Sequence, residues 1–204
     1  MLLTVTPIDS CTMTGIPSWY PDANERKPAP MPLLLVQAFV NTIELEAQTD
    51  VLGEEGAARA WFVAAGLLPP ESSLRPADLE LARNVRGSIR SLLVSGRGDR
   101  VREGQLDPLR ELAEKHPLRM TIDNSGVLAV ENLESDDLPD RLFGLLLIIN
   151  AAQRDGTWTR LKSCANAECQ WVFYDRSKNQ RGNWCDMAVC GNRLKNRELR
   201  ARRR

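Results

Sequence analysis

Three features of the sequence predict a mainly α, α+β fold in which a helical N-terminal domain with one β-hairpin precedes a small cysteine-rich module. Apolar residues recur at helical spacing between positions 33 and 155, and the period switches to alternation at 118–130. Four of the five cysteines fall after residue 163 as two matched pairs, Cys164-x4-Cys169 and Cys185-x4-Cys190. A chain of 204 residues has room for one sizeable domain and an accessory one. The divisions that follow are an irregular segment 1–32, a helical domain 33–157 and a cysteine module 158–204.

Residues 1–32 hold six prolines and few periodic apolar positions, the pattern of irregular chain, with Trp19 and Tyr20 placed to pack back on the core. From Leu33 to about Gln48, Leu34, Leu35, Ala38, Phe39, Ile43 and Ala47 recur at helical spacing. A second helix is expected over Glu54–Ala65, stopped by Gly66, with Trp61 and Phe62 inward. The third, about Pro76 to Val94, carries the stripe Leu79, Ala82, Val85, Ile89, Leu92 and Leu93 and ends at Gly96. Asp107-Pro108 forms an N-cap and N1 pair for a fourth helix, closed by Pro117. Leu118, Met120 and Ile122 then alternate, Asp123–Gly126 supplies a turn and Val127–Val130 returns. A strongly apolar helix over roughly Pro139–Arg154 has a face broad enough to be the central element, and Asp155-Gly156 ends it.

Composition excludes several functions. The longest apolar run, Leu142–Ile149, is too short to span a bilayer, and the N-terminus lacks the layout of a secretory signal. A soluble, cytoplasmic protein without membrane contact is expected. No His, Cys or Ser constellation supports catalysis, so no enzyme is expected. The single histidine, His116, precedes Pro117 at a helix end and reads as a terminal residue rather than a ligand or base. Within the helical domain the polar cluster Asn41, Thr42, Glu44 and Asp50 could line a small-molecule pocket, although helix surfaces are routinely this polar.

Two cysteine pairs on short turns supply four thiolates, a donor set that tetrahedral zinc accepts and magnesium does not. The fifteen residues between Cys169 and Cys185 suffice for a short hairpin. Disulfides would need an oxidising compartment, and a redox dithiol usually shows C-x-x-C beside a βαβ pattern, so zinc leads these alternatives. Four cysteines would close the coordination shell, which makes the ion structural. Cys11, alone, reads as a small hydrophobe. Alternation through Trp171, Phe173 and Asp175 predicts a strand, the loop Arg176–Gly182 turns the chain, and Asp186 can N-cap a helix over about Met187–Arg203. Knuckle, hairpin and helix together would be treble-clef-like or zinc-ribbon-like.

Net charge is zero but polarised. Residues 154–204 hold thirteen Lys or Arg and five Asp or Glu, net +8, leaving −8 on residues 1–153. Arg193, Arg197, Arg200 and Arg204 fall on one side of the expected helix, matched to phosphates by their donors and permanent charge. Two plainer readings compete: Arg193 neutralising a four-thiolate centre, and a solvated Arg202–Arg204 tail. Trp171, Phe173, Tyr174 and Trp184 are more simply a small core than a base-stacking platform.

The stretches Cys164-Ala-Asn-Ala-Glu-Cys169, Phe173-Tyr-Asp-Arg-Ser-Lys-Asn179 and Trp184-Cys-Asp-Met-Ala-Val-Cys-Gly-Asn-Arg193 closely resemble the CGNR zinc-finger proteins of bacteria, whose motif is here Cys190-Gly191-Asn192-Arg193. Upstream, Phe39-Val-Asn-Thr42, Asp50-Val-Leu52, and Trp61 leading to Gly66-Leu-Leu68 are similar to the ABATE-type domain usually fused to that finger. Together they resemble a family of stress-induced transcription regulators. The resemblance implies one structural Zn2+ on Cys164, Cys169, Cys185 and Cys190, and DNA binding. Arg176, Lys178, Arg181, Arg193, Lys195, Arg197 and Arg200 are then the expected nucleic-acid contacts, and Asn41, Thr42 and Asp50 the expected ligand pocket. The leading reading is a DNA-binding regulator whose helical domain senses an effector or partner, with a homodimer compatible. An RNA-binding or ribosome-associated module and a small-molecule-binding domain are the alternatives.

Overall fold

A computed structural model describes residues 16–95, 101–122, 124–132 and 137–193. Five helices and three two-stranded antiparallel sheets occur among them: α1 (Leu33–Val40), β1 (Ile43–Glu44), β2 (Thr49–Asp50), α2 (Glu55–Ala64), α3 (Pro76–Ser95), α4 (Asp107–Lys115), β3 (Leu118–Ile122), β4 (Leu128–Asn132), α5 (Leu138–Asp155), β5 (Leu161–Ser163) and β6 (Val172–Tyr174). The sheets pair β1 with β2, β3 with β4, and β5 with β6.

The most completely buried helix is α1. Its sequence, LLLVQAFV, is apolar around nearly the whole circumference, so no side can face water, and every residue except Leu35 is buried. Helices α3 and α5 and strand β6 pack around it. Phe39 meets Trp61 at 6.1 Å between ring centroids, and the Trp61 indole donates to the Trp19 carbonyl at 2.8 Å.

Helix α1 is also shorter than its apolar period suggests, stopping at Val40 instead of running to Gln48. Thr42 Oγ1 donates back to the Phe39 carbonyl at 2.7 Å, and Gln48, at φ 55°, turns the β1–β2 ribbon. The residues that continue the helical period therefore lie on a ribbon. Helix α2 ends as expected, with Gly66 at φ 70° beyond its C-cap. In α4, Leu106 takes the cap position and Asp107 is already helical, its carboxylate accepting from Arg110 Nη1 at 2.6 Å. His116 caps the C-terminus of α4, pairs through Nε2 with Asp140 at 2.9 Å and stacks on Phe143.

Residues 16–32 form a strap over the sheet β5–β6. Tyr20 is buried, the Lys27 carbonyl accepts from Tyr174 N at 2.9 Å, and Glu25 accepts from the Trp171 indole at 2.7 Å. Cys11 lies outside the described residues. Leu161, Val172 and Tyr174 belong to the same buried cluster as α1, α3 and α5, so the C-terminal hairpin forms one wall of the main core.

Candidate metal centre

Strand β5 delivers Cys164, whose amide donates to the Trp171 carbonyl at 2.8 Å and so closes the first knuckle against the start of β6. Inside that knuckle the Asn166 carbonyl accepts from Cys169 N at 3.0 Å and Gln170 N at 2.9 Å. Gln170 turns the chain at φ 49°. The second pair reaches the first through Ala165 N, which donates to the Asn183 carbonyl at 2.8 Å. Asp186 caps the following turn as expected, accepting from Ala188 N at 2.6 Å and Val189 N at 3.1 Å. That turn, Met187–Gly191, is π-helical and carries Cys190.

All four sulfur atoms lie within 4.8 Å of one another. Cys185 Sγ stands 3.7 Å from both Cys169 Sγ and Cys190 Sγ. A tetrahedral centre with Zn–S bonds of about 2.3 Å has sulfur–sulfur edges of about 3.8 Å, so the donor set and its spacing fit zinc. Without a cation such crowding resists further ionisation. Hydrogen bonds from Cys169 and Cys185 hold Cys164 far down, while the same contact with Cys164 pushes Cys169 and Cys185 up. A divalent ion relieves that repulsion. Four thiolates fill a tetrahedral shell, the arrangement of a structural centre that holds chain together. The Asn166 amide reaches towards Cys190 Sγ at 4.0 Å.

A family model described as "CGNR zinc finger" matches residues 160–203, and a second, ABATE, described as "Putative stress-induced transcription regulator", matches residues 34–153. The chain belongs to the ABATE family. No curated protein matches it. One structural zinc therefore belongs in the CGNR finger, on the four cysteines the fold gathers.

The loop after β6 is fixed by a buried acid. Asp175, 4% exposed, accepts from Lys162 Nζ at 2.8 Å, Ser177 N at 3.0 Å and Gly182 N at 2.7 Å. Burial works against its charge, but Lys162 and the Ser177 and Gly182 donors outweigh it and hold the carboxyl well below the usual range. A Cβ at Gly182 would stand 2.8 Å from Asp175 Oδ2 and 2.9 Å from Cγ. Gly182→Ala should therefore destabilise the finger by about 1–3 kcal/mol, read as an earlier thermal transition at unchanged zinc stoichiometry.

That anchored loop presents Arg176, Lys178 and Arg181 as exposed side chains. Arg176 spends one donor on the Pro28 carbonyl at 2.8 Å. Arg193 does not stand free: it forms an ion pair with Glu46, between β1 and β2, across the two family regions. Lys195, Arg197, Arg200 and the rest of the expected arginine ridge lie outside the described residues. Phe173 and Tyr174 are buried, Lys27 Nζ sits 4.7 Å above the Phe173 ring, and the Trp171 indole is bound to Glu25. These three serve the core rather than a stacking platform.

The polar side chains expected to line a ligand pocket are hydrogen-bonded within the fold. Asn41, 1% exposed, accepts from Val172 N at 2.9 Å and donates to the Val172 carbonyl at 2.8 Å, replacing a strand partner along the outer edge of β6. Gln37 supplements it, donating to the same carbonyl at 3.1 Å and accepting from Ala29 N at 2.6 Å. Thr42 and Asp50 are held by Arg86, which contacts Thr42 Oγ1 at 2.9 Å and grips both Asp50 oxygens at 2.6 and 2.7 Å. One turn along α3, Arg90 joins the Val40 and Gln170 carbonyls, each at 2.7 Å. Burial and the nearby Arg86 charge bring Arg90 down to about 10. Sequence reasoning missed Gln37, Arg86 and Arg90. Their only signal was position: polar residues interrupting apolar helical stripes.

Proposed function

We propose that this protein is a bacterial, cytoplasmic transcription regulator that binds duplex DNA through its CGNR finger, the helical region acting as the sensing half. The supporting observation is the loop Arg176–Gly182, pinned by Asp175 beside a zinc-fixed framework with its three cations exposed. Arg160 and Arg176 also line a recess of about 360 Å³ with Pro30 and Tyr174, extending the positive surface towards the strap. Arg193 joins this surface by exchanging Glu46 for a phosphate, because an exposed ion pair is weak. Lys195, Arg197 and Arg200 continue the basic sequence beyond it. Effector sensing falls to surfaces other than Asn41, Thr42 and Asp50, whose polar groups are engaged within the fold. No helix among the described residues is long and apolar enough to cross a membrane.

A mobility-shift titration across salt tests the reading. Each phosphate contact contributes about −0.9 to the slope of log affinity against log salt. Changing Arg176, Lys178 and Arg181 together to Ala should flatten that slope by nearly three and weaken binding at every salt concentration. Affinity that ignores salt, is unchanged in the triple variant, or prefers single-stranded RNA to duplex DNA would overturn the proposal.

A further inference from the structure

The β3–β4 hairpin is built the wrong way round for an isolated chain. Its register sets Leu118 opposite Asn132, Met120 opposite Val130 and Ile122 opposite Leu128. Opposed residues of an antiparallel pair share a face, so these six positions form one side of the ribbon, and none is ionisable. Four of the six point to solvent: Leu118, Met120, Ile122 and Leu128 are 51, 69, 68 and 62% exposed. Thr121, on the other side, is half-buried. A one-residue slip would reverse the two faces, so the outward apolar stripe is a specific choice of register. An isolated two-stranded ribbon is marginal in water, and no third strand joins this one among the described residues.

The chemistry of the face narrows its occupant. Without a cation or a donor array it suits neither nucleic acid nor an acidic segment, and a five-residue strand is too short to span a bilayer. The four exposed side chains offer on the order of 450 Å² of apolar surface, more than half of the roughly 800 Å² that each partner buries in a standard interface. A second copy of the chain matches it without further assumption. A two-fold axis through the middle of β3 brings Met120 to Met120 and sets Leu118 of one copy against Ile122 of the other, the self-complementarity an isologous contact needs. We infer that the exposed face of β3–β4 is a homodimer interface, with two hairpins packed face to face about a two-fold axis. The inference does not depend on DNA binding.

Sedimentation equilibrium of the full zinc-loaded chain over a concentration series tests it. The wild type should approach twice the 22.9 kDa chain mass. Met120→Glu with Ile122→Glu should weaken the dimer by on the order of 100-fold or more, since each copy would bury unpaired charge, with zinc content and helical circular dichroism unchanged. Met120→Gln with Ile122→Thr, uncharged and compatible with a strand, should weaken it less and guards against a folding defect in the first variant. A wild type of single-chain mass at all concentrations overturns the inference. So does a dimer that persists undiminished in both variants.

Discussion

Stripping zinc from the intact chain with a chelator, or replacing Cys185 with Ser, should collapse the finger and lower the thermal transition of the whole protein. Structural zinc contributes on the order of 10 kcal/mol to small folds, comparable with the entire stability of a typical domain at about 5–15 kcal/mol. The damage should not stop at residue 160, because Leu161, Val172 and Tyr174 form a wall of the main core and Asn41 fastens Val172 on both its backbone groups. Tryptophan fluorescence should follow, since Trp158 and Trp171 both pack against that core. Restoring one equivalent of zinc should recover the signal in the wild type and fail in the Ser variant. A melting profile indifferent to chelation would show that the thiols hold no metal of structural consequence.

The second large effect belongs to Arg86. Arg86→Met should destabilise the fold by about 2–3 kcal/mol, below the roughly 3–5 kcal/mol of a fully buried pair because the Asp50 side chain is 26% exposed. Arg86→Lys should cost less while still losing the two-pronged grip. Burial opposes ionisation of Asp50, but the Arg86 hydrogen bonds and charge prevail, so its folded pKa lies below the unfolded value. Its contribution is therefore complete above an unfolded pKa of about 3.9 and disappears as pH falls through the folded value. In the wild type this appears as stability lost on acidification below about pH 4. In Arg86→Met that component of the slope should vanish. Equal acid sensitivity in both proteins would refute the assignment.

Local patterns in the sequence were legible where one short stretch decides its own geometry. Gly66 stops α2, Asp186 caps the turn bearing Cys190, and residues 118–132 pair as a hairpin. The helical period failed after Val40, where Thr42 folds its hydroxyl back onto Phe39 and Gln48 adopts positive φ. An amphipathic stripe is visible in a sequence, whereas a short helix buried on every side, such as α1, shows no face to detect.

The candidate site divides along the same line. By itself the sequence determined the four thiol donors and the basic character of the loop that follows β6. Donor type and spacing along a few bonds already specify a closed zinc shell. Only the tertiary structure decided what Asn41, Thr42, Asp50 and Arg193 do, and that residues 16–32 strap the finger to the helices. The partners of these residues, Val172, Arg86, Glu46 and Trp171, lie up to 147 residues away. A polar side chain reads identically in sequence whether it faces water, a ligand or a distant strand edge. Its meaning is fixed when burial removes water and leaves one set of partners to satisfy it.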